Sequence, residues 1–153
     1  MKIIIGSDHG GFDLKEILKK FIKELGHEVL DYGTYSKDPV DYPDIAFLVA
    51  DMVSKDPVSL GIIIDGAGCG SAITANKVPG IRASACYDCF TAWNSRAHND
   101  ANILTLGSRV TGEELVKRIV STWIATEFEG GRHMRRVAKI MDVERKFLQK
   151  RQV

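Results

Sequence analysis

Leu60-Gly61-Ile62-Ile63-Ile64-Asp65-Gly66-Ala67-Gly68-Cys69-Gly70-Ser71 is the stretch on which the reading of this chain turns. The apolar run Ile62 to Ile64 predicts a buried strand. It ends on a carboxylate and passes straight into a loop with glycine at every second position. Glycine lets a backbone turn tightly and bring its N–H groups close to a ligand. A helical segment, Ser71 to Lys77, is expected next. Strand, glycine loop and helix start together form a cradle for an anion, because unsatisfied amides and the positive helix end point the same way. An acid at the strand's carboxyl end predicts proton chemistry beside that cradle, so the active site is expected here.

Outward from this stretch the chain alternates strand-like and helix-like segments. On the amino-terminal side, Ile3 to Ile5 reads as a strand closed by Gly6-Ser7-Asp8-His9-Gly10-Gly11. Phe12, Leu14, Ile17, Leu18, Phe21, Ile22 and Leu25 then make one helical stripe, with Gly26 as its C-cap. His27 to Asp31 is a second strand, followed by a polar loop to Pro39 and a helix from Pro43 through Met52. On the carboxyl-terminal side, Ile81 to Ala85 and Asn102 to Leu106 are strands, and Ala92 to Ala97 is helical. Glu113 to Ile124 is a helix with Thr111 as its expected N-cap. A last helix runs from about His133 toward Lys150. Five short apolar strands alternating with helices predict an α/β fold, a five-stranded parallel sheet with helices on both faces and a C-terminal helix. Ligands on such sheets bind beyond the carboxyl ends of the strands. Asp8-His9, Asp65 to Gly70 and Gly107 to Arg109 all follow strands and should share one rim.

The 153 residues fit one domain, expected over 1–153, with a sizeable core. A net charge of +1 gives no general pull toward nucleic acid or membrane, so no partner of either kind is expected. No apolar run approaches a membrane span, and the amino terminus enters a strand without a signal-peptide layout. A cytoplasmic protein is the simplest expectation. Cys69, Cys86 and Cys89 are an odd number of cysteines, which argues against a disulfide framework. The single C-x-x-C, Cys86 to Cys89, lacks the second pair that zinc would need.

Outside the loop, two histidines sit beside acids. His9 follows Asp8 at the first strand's end, and His98 stands in His98-Asn99-Asp100. Imidazoles next to carboxylates and glycine turns point to proton transfer or ligand contact. Arg132 and Arg136, four apart after Gly130-Gly131, would share a helix face and grip a dianion together. The glycine loop matches neither a phosphate loop with its lysine nor the spacing of a dinucleotide fingerprint. A nucleotide-binding module is therefore the weaker alternative.

Asp8-His9-Gly10-Gly11-Phe12-x-Leu14-Lys15, Asp31-x-Gly33-Thr34, Asp41-Tyr42-Pro43-Asp44, Ala75-Asn76-Lys77-x-x-Gly80-Ile81-Arg82-Ala83, His98-Asn99-Asp100-x-Asn102, Leu106-Gly107-Ser108-Arg109 and Glu129-Gly130-Gly131-Arg132-His133 resemble the type B ribose-5-phosphate isomerases. That family also includes the galactose-6-phosphate isomerase subunits. The resemblance covers nearly the whole chain in order. It implies a metal-free aldose–ketose isomerase of a small-molecule sugar phosphate, working through a cis-enediol on a Rossmann-like fold and needing no cofactor. It also implies a homodimer or dimer of dimers whose active site is shared between subunits. On this chain it makes Asp8 and His98 the groups that open the sugar ring. The amides of Gly66, Ala67, Gly68, Cys69 and Gly70 become the enediolate cradle, His9, Arg109, Arg132 and Arg136 the substrate and phosphate contacts, and Asn99 a sugar-hydroxyl contact.

Inside the loop this sequence departs from that family. Many members carry a cysteine where this chain has Asp65, and that thiol takes the C2 proton; others place a glutamate at the position of Ser71. A threonine or serine usual at Ala67 is also missing. Three readings follow. Asp65 is the first candidate for the catalytic base, Cys69 the second, and a catalytically silent sugar-phosphate-binding subunit of a heteromer the third. The substrate is ribose 5-phosphate on the first expectation, with a tetrulose 4-phosphate or a hexose 6-phosphate as alternatives.

Overall fold

The computed structural model describes residues 1–150; residues 151–153, the end of the expected domain, lie outside the described residues. Five strands form one parallel sheet: β1 (Lys2–Ser7), β2 (Glu28–Asp31), β3 (Leu60–Asp65), β4 (Ala83–Ala85) and β5 (Ile103–Gly107). Their order is β2-β1-β3-β5-β4. The order changes direction between β1 and β3, the place where parallel α/β sheets open a crevice.

Five α-helices cover the two faces, α1 (Phe12–Glu24), α2 (Tyr42–Lys55), α3 (Cys69–Ala75), α4 (Cys89–Ala97) and α5 (Glu113–Ala125); a sixth among the described residues, α6 (Arg132–Gln149), contributes to neither core. Strand side chains alternate between faces and so feed two cores. Ile3, Ile5, Ile62, Ile64, Leu104 and Leu106 pack against Leu18 and Ile22 of α1 and Val116, Val120 and Trp123 of α5. Ile4, Ile63 and Ile103 pack against Ala46, Val49 and Val53 of α2 and Ala75 of α3. Burying each such side chain contributes about 1.5–3 kcal/mol. Trp123 is fully buried, and its Nε1–H donates to Ser95 Oγ at 3.1 Å.

The observed helix starts differ from the expected ones. α3 begins at Cys69, two residues early, because Gly68 takes a left-handed φ of 83° and turns the chain directly into the helix. α4 begins at Cys89 because the Asp88 carboxylate accepts from the Thr91 amide at 2.7 Å. At α5 the cap is Gly112, with no side-chain hydrogen bond, so Thr111 does not serve as N-cap. Gly26 follows the end of α1 with φ 88°, the left-handed closing turn that the sequence suggested.

One buried charge ties the first unit together. Lys15 of α1 is fully buried, and its Nζ donates to Asp31 Oδ1 and to the Thr34 carbonyl, both at 2.6 Å. Lys19 donates to the other oxygen of Asp31 at 2.6 Å.

Candidate active site

The carboxyl ends of β1, β3, β4 and β5 deliver Asp8, Asp65, Tyr87 and Ser108-Arg109 to one rim. Backbone links stitch the loops together there: Asp8 donates to the Ile64 carbonyl at 3.1 Å, Ser108 to that of Asp65 at 2.8 Å, and Arg109 to that of Gly66 at 3.0 Å.

Asp65 turns inward. Its side chain is 4% exposed and curls back into its own loop. Oδ1 accepts from the Ala67 amide at 2.8 Å and from the Gly68 amide. Oδ2 accepts from the Ser71 amide at 3.0 Å and the Ser71 hydroxyl at 2.5 Å. Four donors saturate both oxygens, leaving no lone pair aimed at a carbon-bound proton. The assignment of Asp65 as catalytic base is therefore corrected: it braces the loop. The physical reason lies in sequence distance, since amides two, three and six residues ahead can all fold back onto a carboxylate at a strand end.

The same geometry narrows the amide cradle. The amides of Ala67 and Gly68 serve Asp65 rather than a ligand. Those of Gly66, Cys69 and Gly70 remain, the last two in the first turn of α3, where the helix offers no acceptor. The Tyr42 ring packs directly over Gly70, where a Cβ would lie 2.5 Å from it. Cys69 is exposed, and its Sγ lies 3.1 Å from Tyr87 Oη, which itself donates to the Ala67 carbonyl at 2.8 Å. The hydrogen bond to Cys69, then burial and the negative charges nearby, push the Tyr87 phenol up to about 12, so it stays protonated at neutral pH. Nothing in the spacing of the sequence pointed to Tyr87.

His9 and Asp8 lie on this rim. Asp8 Oδ1 accepts from the Gly11 amide at 3.0 Å, which leaves its second oxygen outside that turn. His9 is exposed and holds the Val40 backbone at 3.2 Å through Nδ1. The Arg109 stem runs alongside Gly66.

The remaining expected residues form a separate cluster. His98 caps the end of α4, and α4 runs back toward the amino-terminal end of β5. The neighbouring Asn102 bonds Arg82 just before β4 and Gly61 at the start of β3, which fixes this corner at the opposite edge of the sheet. Roughly 15 Å of strand separates it from the glycine loop. His98 stacks on the buried His133, with centroids 3.9 Å apart and rings 12° from parallel, and meets Trp93 edge-on at 4.9 Å. Its Nδ1 lies 2.9 Å from the Asn94 side-chain amide, and Glu129 Oε2 lies 3.5 Å from its Nε2. Glu129 Oε2 is also 3.7 Å from His133 Nε2. Burial, then His98 and the Arg132 and Arg136 charges, push the His133 imidazole below its ordinary range. Asn99 and both arginines are exposed beside this trio.

His98, Glu129 and His133 offer three ligand-type atoms within 4.8 Å of one another. A metal bound by two imidazoles lies close to both ring planes. Rings stacked 3.9 Å apart and nearly parallel send their lone pairs along lines that do not converge, so the trio is poorly arranged to hold an ion.

Cys86 and Cys89 stand at the end of β4 and the start of α4, both as free thiols. Burial pushes the Cys86 thiol up, which keeps it protonated and inert.

The family model described as Ribose/Galactose Isomerase matches residues 3–140. The chain is 47% identical over 149 residues to the putative sugar phosphate isomerase YwlF of Bacillus subtilis, covering 97% of this chain and 100% of that one. It is 47% identical to ribose-5-phosphate isomerase B of Escherichia coli, covering 95% of this chain and 97% of that one. Among solved structures, ribose-5-phosphate isomerase B of Clostridium thermocellum superposes with a TM-score of 0.94 at 52% identity, over 96% of this chain and 99% of that one.

Proposed function

The chain belongs to the ribose/galactose isomerase family, and from that premise we propose that it interconverts ribose 5-phosphate and ribulose 5-phosphate. The observation that carries this reading is the carboxyl rim, where an acid (Asp8), an imidazole (His9), a guanidinium (Arg109) and the amides of Gly66, Cys69 and Gly70 surround one loop. Asp8 and His98 move the protons that open the sugar ring. The loop amides hold the enediolate oxygen, the charge on which preorganised donors act most strongly. His9, Arg132 and Arg136 hold the phosphate, and Asn99 a sugar hydroxyl.

These assignments require two copies of the chain. His98, Asn99, Arg132 and Arg136 lie about a sheet length from the loop of their own chain, so they complete the loop of another. The surface supports such an assembly. Ile140, Val143 and Phe147 leave an exposed apolar stripe along α6, and Phe90 and Ile73 are also exposed. We assign a homodimer, or a dimer of dimers, with each active site built by two chains.

No helix among the described residues is long and apolar enough to cross a membrane. The three free thiols suit a reducing compartment, and the cytoplasm is where we place the protein's work.

A panel of four-, five- and six-carbon sugar phosphates, assayed for aldose–ketose conversion, tests the substrate. The expected result is the highest kcat/KM with ribose 5-phosphate. Faster turnover of a tetrulose 4-phosphate or a hexose 6-phosphate would reassign the substrate within the same chemistry.

A further inference from the structure

An aldose–ketose isomerase needs a base that removes a proton from one carbon and returns it to the next. Asp65 stands where a base would be expected, yet its carboxylate is spent on its own loop. Four residues on, Cys69 projects from the first residue of α3 into solvent, and its Sγ rests 3.1 Å from Tyr87 Oη. We propose that Cys69 is the catalytic base of this chain and that Tyr87 is the residue that positions it. This rests on the isomerase reading above and names the group that carries out its central step.

The hydrogen-bond arrangement suits both halves of that step. Tyr87 Oη has one hydrogen, which it donates to the Ala67 carbonyl at 2.8 Å. In that state its oxygen accepts the S–H of a protonated Cys69. Turned toward sulfur, the same O–H donates to the thiolate. One phenol therefore serves the thiol before and after each transfer, while the Ala67 carbonyl keeps the ring in place. Tyr87, from the end of β4, is the titratable group in contact with Cys69, and Tyr87 itself feels Asp65 from the end of β3 and Cys86.

The step balances. The Cys69 thiolate takes the proton from C2: the C2–H bond breaks, an S–H bond forms, and the electron pair passes through the C1–C2 bond to the C1 oxygen as an enediolate. The proton of the O2 hydroxyl passes to the C1 oxygen, and as the C2 carbonyl forms the thiol returns its proton to C1, leaving the C1 hydroxyl of the ketose and a thiolate ready for the next turnover. No oxidant, reductant or additional reactant is consumed.

Neither other cysteine fits this role. Cys86 is buried, and Cys89 packs against the core under α4. Asp65 in turn gains an explanation: with the proton transfer carried by sulfur, a carboxylate at the strand end is free to fix the loop from which that sulfur projects.

The test compares ribose 5-phosphate isomerisation by the wild type with that of Cys69→Ser, Cys69→Ala, Cys89→Ser and Tyr87→Phe. Removing a general base costs typically 10²–10⁴-fold, so Cys69→Ser and Cys69→Ala are expected to lose about 100-fold or more in kcat. Ribulose 5-phosphate should still bind them within about threefold, because a neutral side chain of similar size leaves the amide cradle intact. Cys89→Ser should keep wild-type turnover. Tyr87→Phe should move the acid limb of the kcat/KM profile to higher pH, because the thiolate loses its donor; a purely structural tyrosine would leave that limb in place. Iodoacetamide should inactivate the wild type, and ribulose 5-phosphate should protect it. An active wild type whose Cys69→Ser variant keeps more than a tenth of the rate overturns this inference alone. A wild type that isomerises no sugar phosphate overturns the parent reading together with it.

Discussion

Four hydrogen-bond donors converge on Asp65, and they give a single side chain control over the shape of the whole loop. Asp65→Asn keeps the size but turns an NH₂ group toward donors. A buried polar group left without its partner costs about 1–3 kcal/mol, more where a charge was involved. The variant should be destabilised by about 2–4 kcal/mol in urea unfolding. A loss below about 0.5 kcal/mol would show that the carboxylate does not brace the loop. The position of this acid was legible in the sequence, at the end of an apolar run and ahead of alternating glycines. Its direction was not, because a side chain's orientation depends on which backbone amides fold back to meet it. The same limit hid Tyr87: its partner lies eighteen residues away, and only the pairing of β4 with β5 brings it beside the loop.

At the scale of elements, the alternation of apolar runs and helical stripes was enough to read five parallel strands and helices on both faces. Helix starts were less legible, since Asp88 and Gly68 act through backbone geometry rather than through hydrophobic spacing. The tie between α1 and β2 was not legible at all as a buried charge. Lys15 lay among the lysines of an amphipathic helix, yet it is its Nζ that reaches through to Asp31. Burial raises the Asp31 carboxyl, but hydrogen bonds from Lys15, Lys19 and the Gly33 amide outweigh it and hold it below the ordinary carboxylate range. A folded value below the unfolded value of about 3.9 adds stability that is present above that pH. That stability is lost as pH falls through the folded value. Asp31→Asn should therefore destabilise the protein by about 2–3 kcal/mol at pH 7, because it leaves Lys15 buried without its counter-charge. The gap between variant and wild type should narrow as pH drops below about 4. Urea unfolding at neutral and acid pH measures both, and a gap that does not depend on pH would contradict the linkage.

At the scale of the whole molecule, the candidate residues divide between two edges of the sheet. The order of strands fixed the first group on one rim. The second group, around His98 and Arg132, was readable only as motifs, because nothing in a linear sequence tells at which edge a helix ends. The division predicts complementation. Cys69→Ser damages the loop half of a site, and Arg132→Ala with Arg136→Ala damages the other half. Each protein alone should be nearly inactive. Mixed and reassociated as dimers, half the molecules combine the two, and each of these holds one intact site, so about a quarter of wild-type activity should return. Failure to recover any activity, with mixed dimers demonstrated by native mass spectrometry, would contradict the shared site.

The chemistry itself is read most directly from hydrogen exchange at carbon. Incubated with ribose 5-phosphate in heavy water and followed by NMR, the protein should replace the C2 proton of recovered aldose, and a C1 proton of the ketose formed, with solvent deuterium. Sugar phosphate recovered with both positions fully protonated, from protein shown to bind it, would contradict an enediol isomerase.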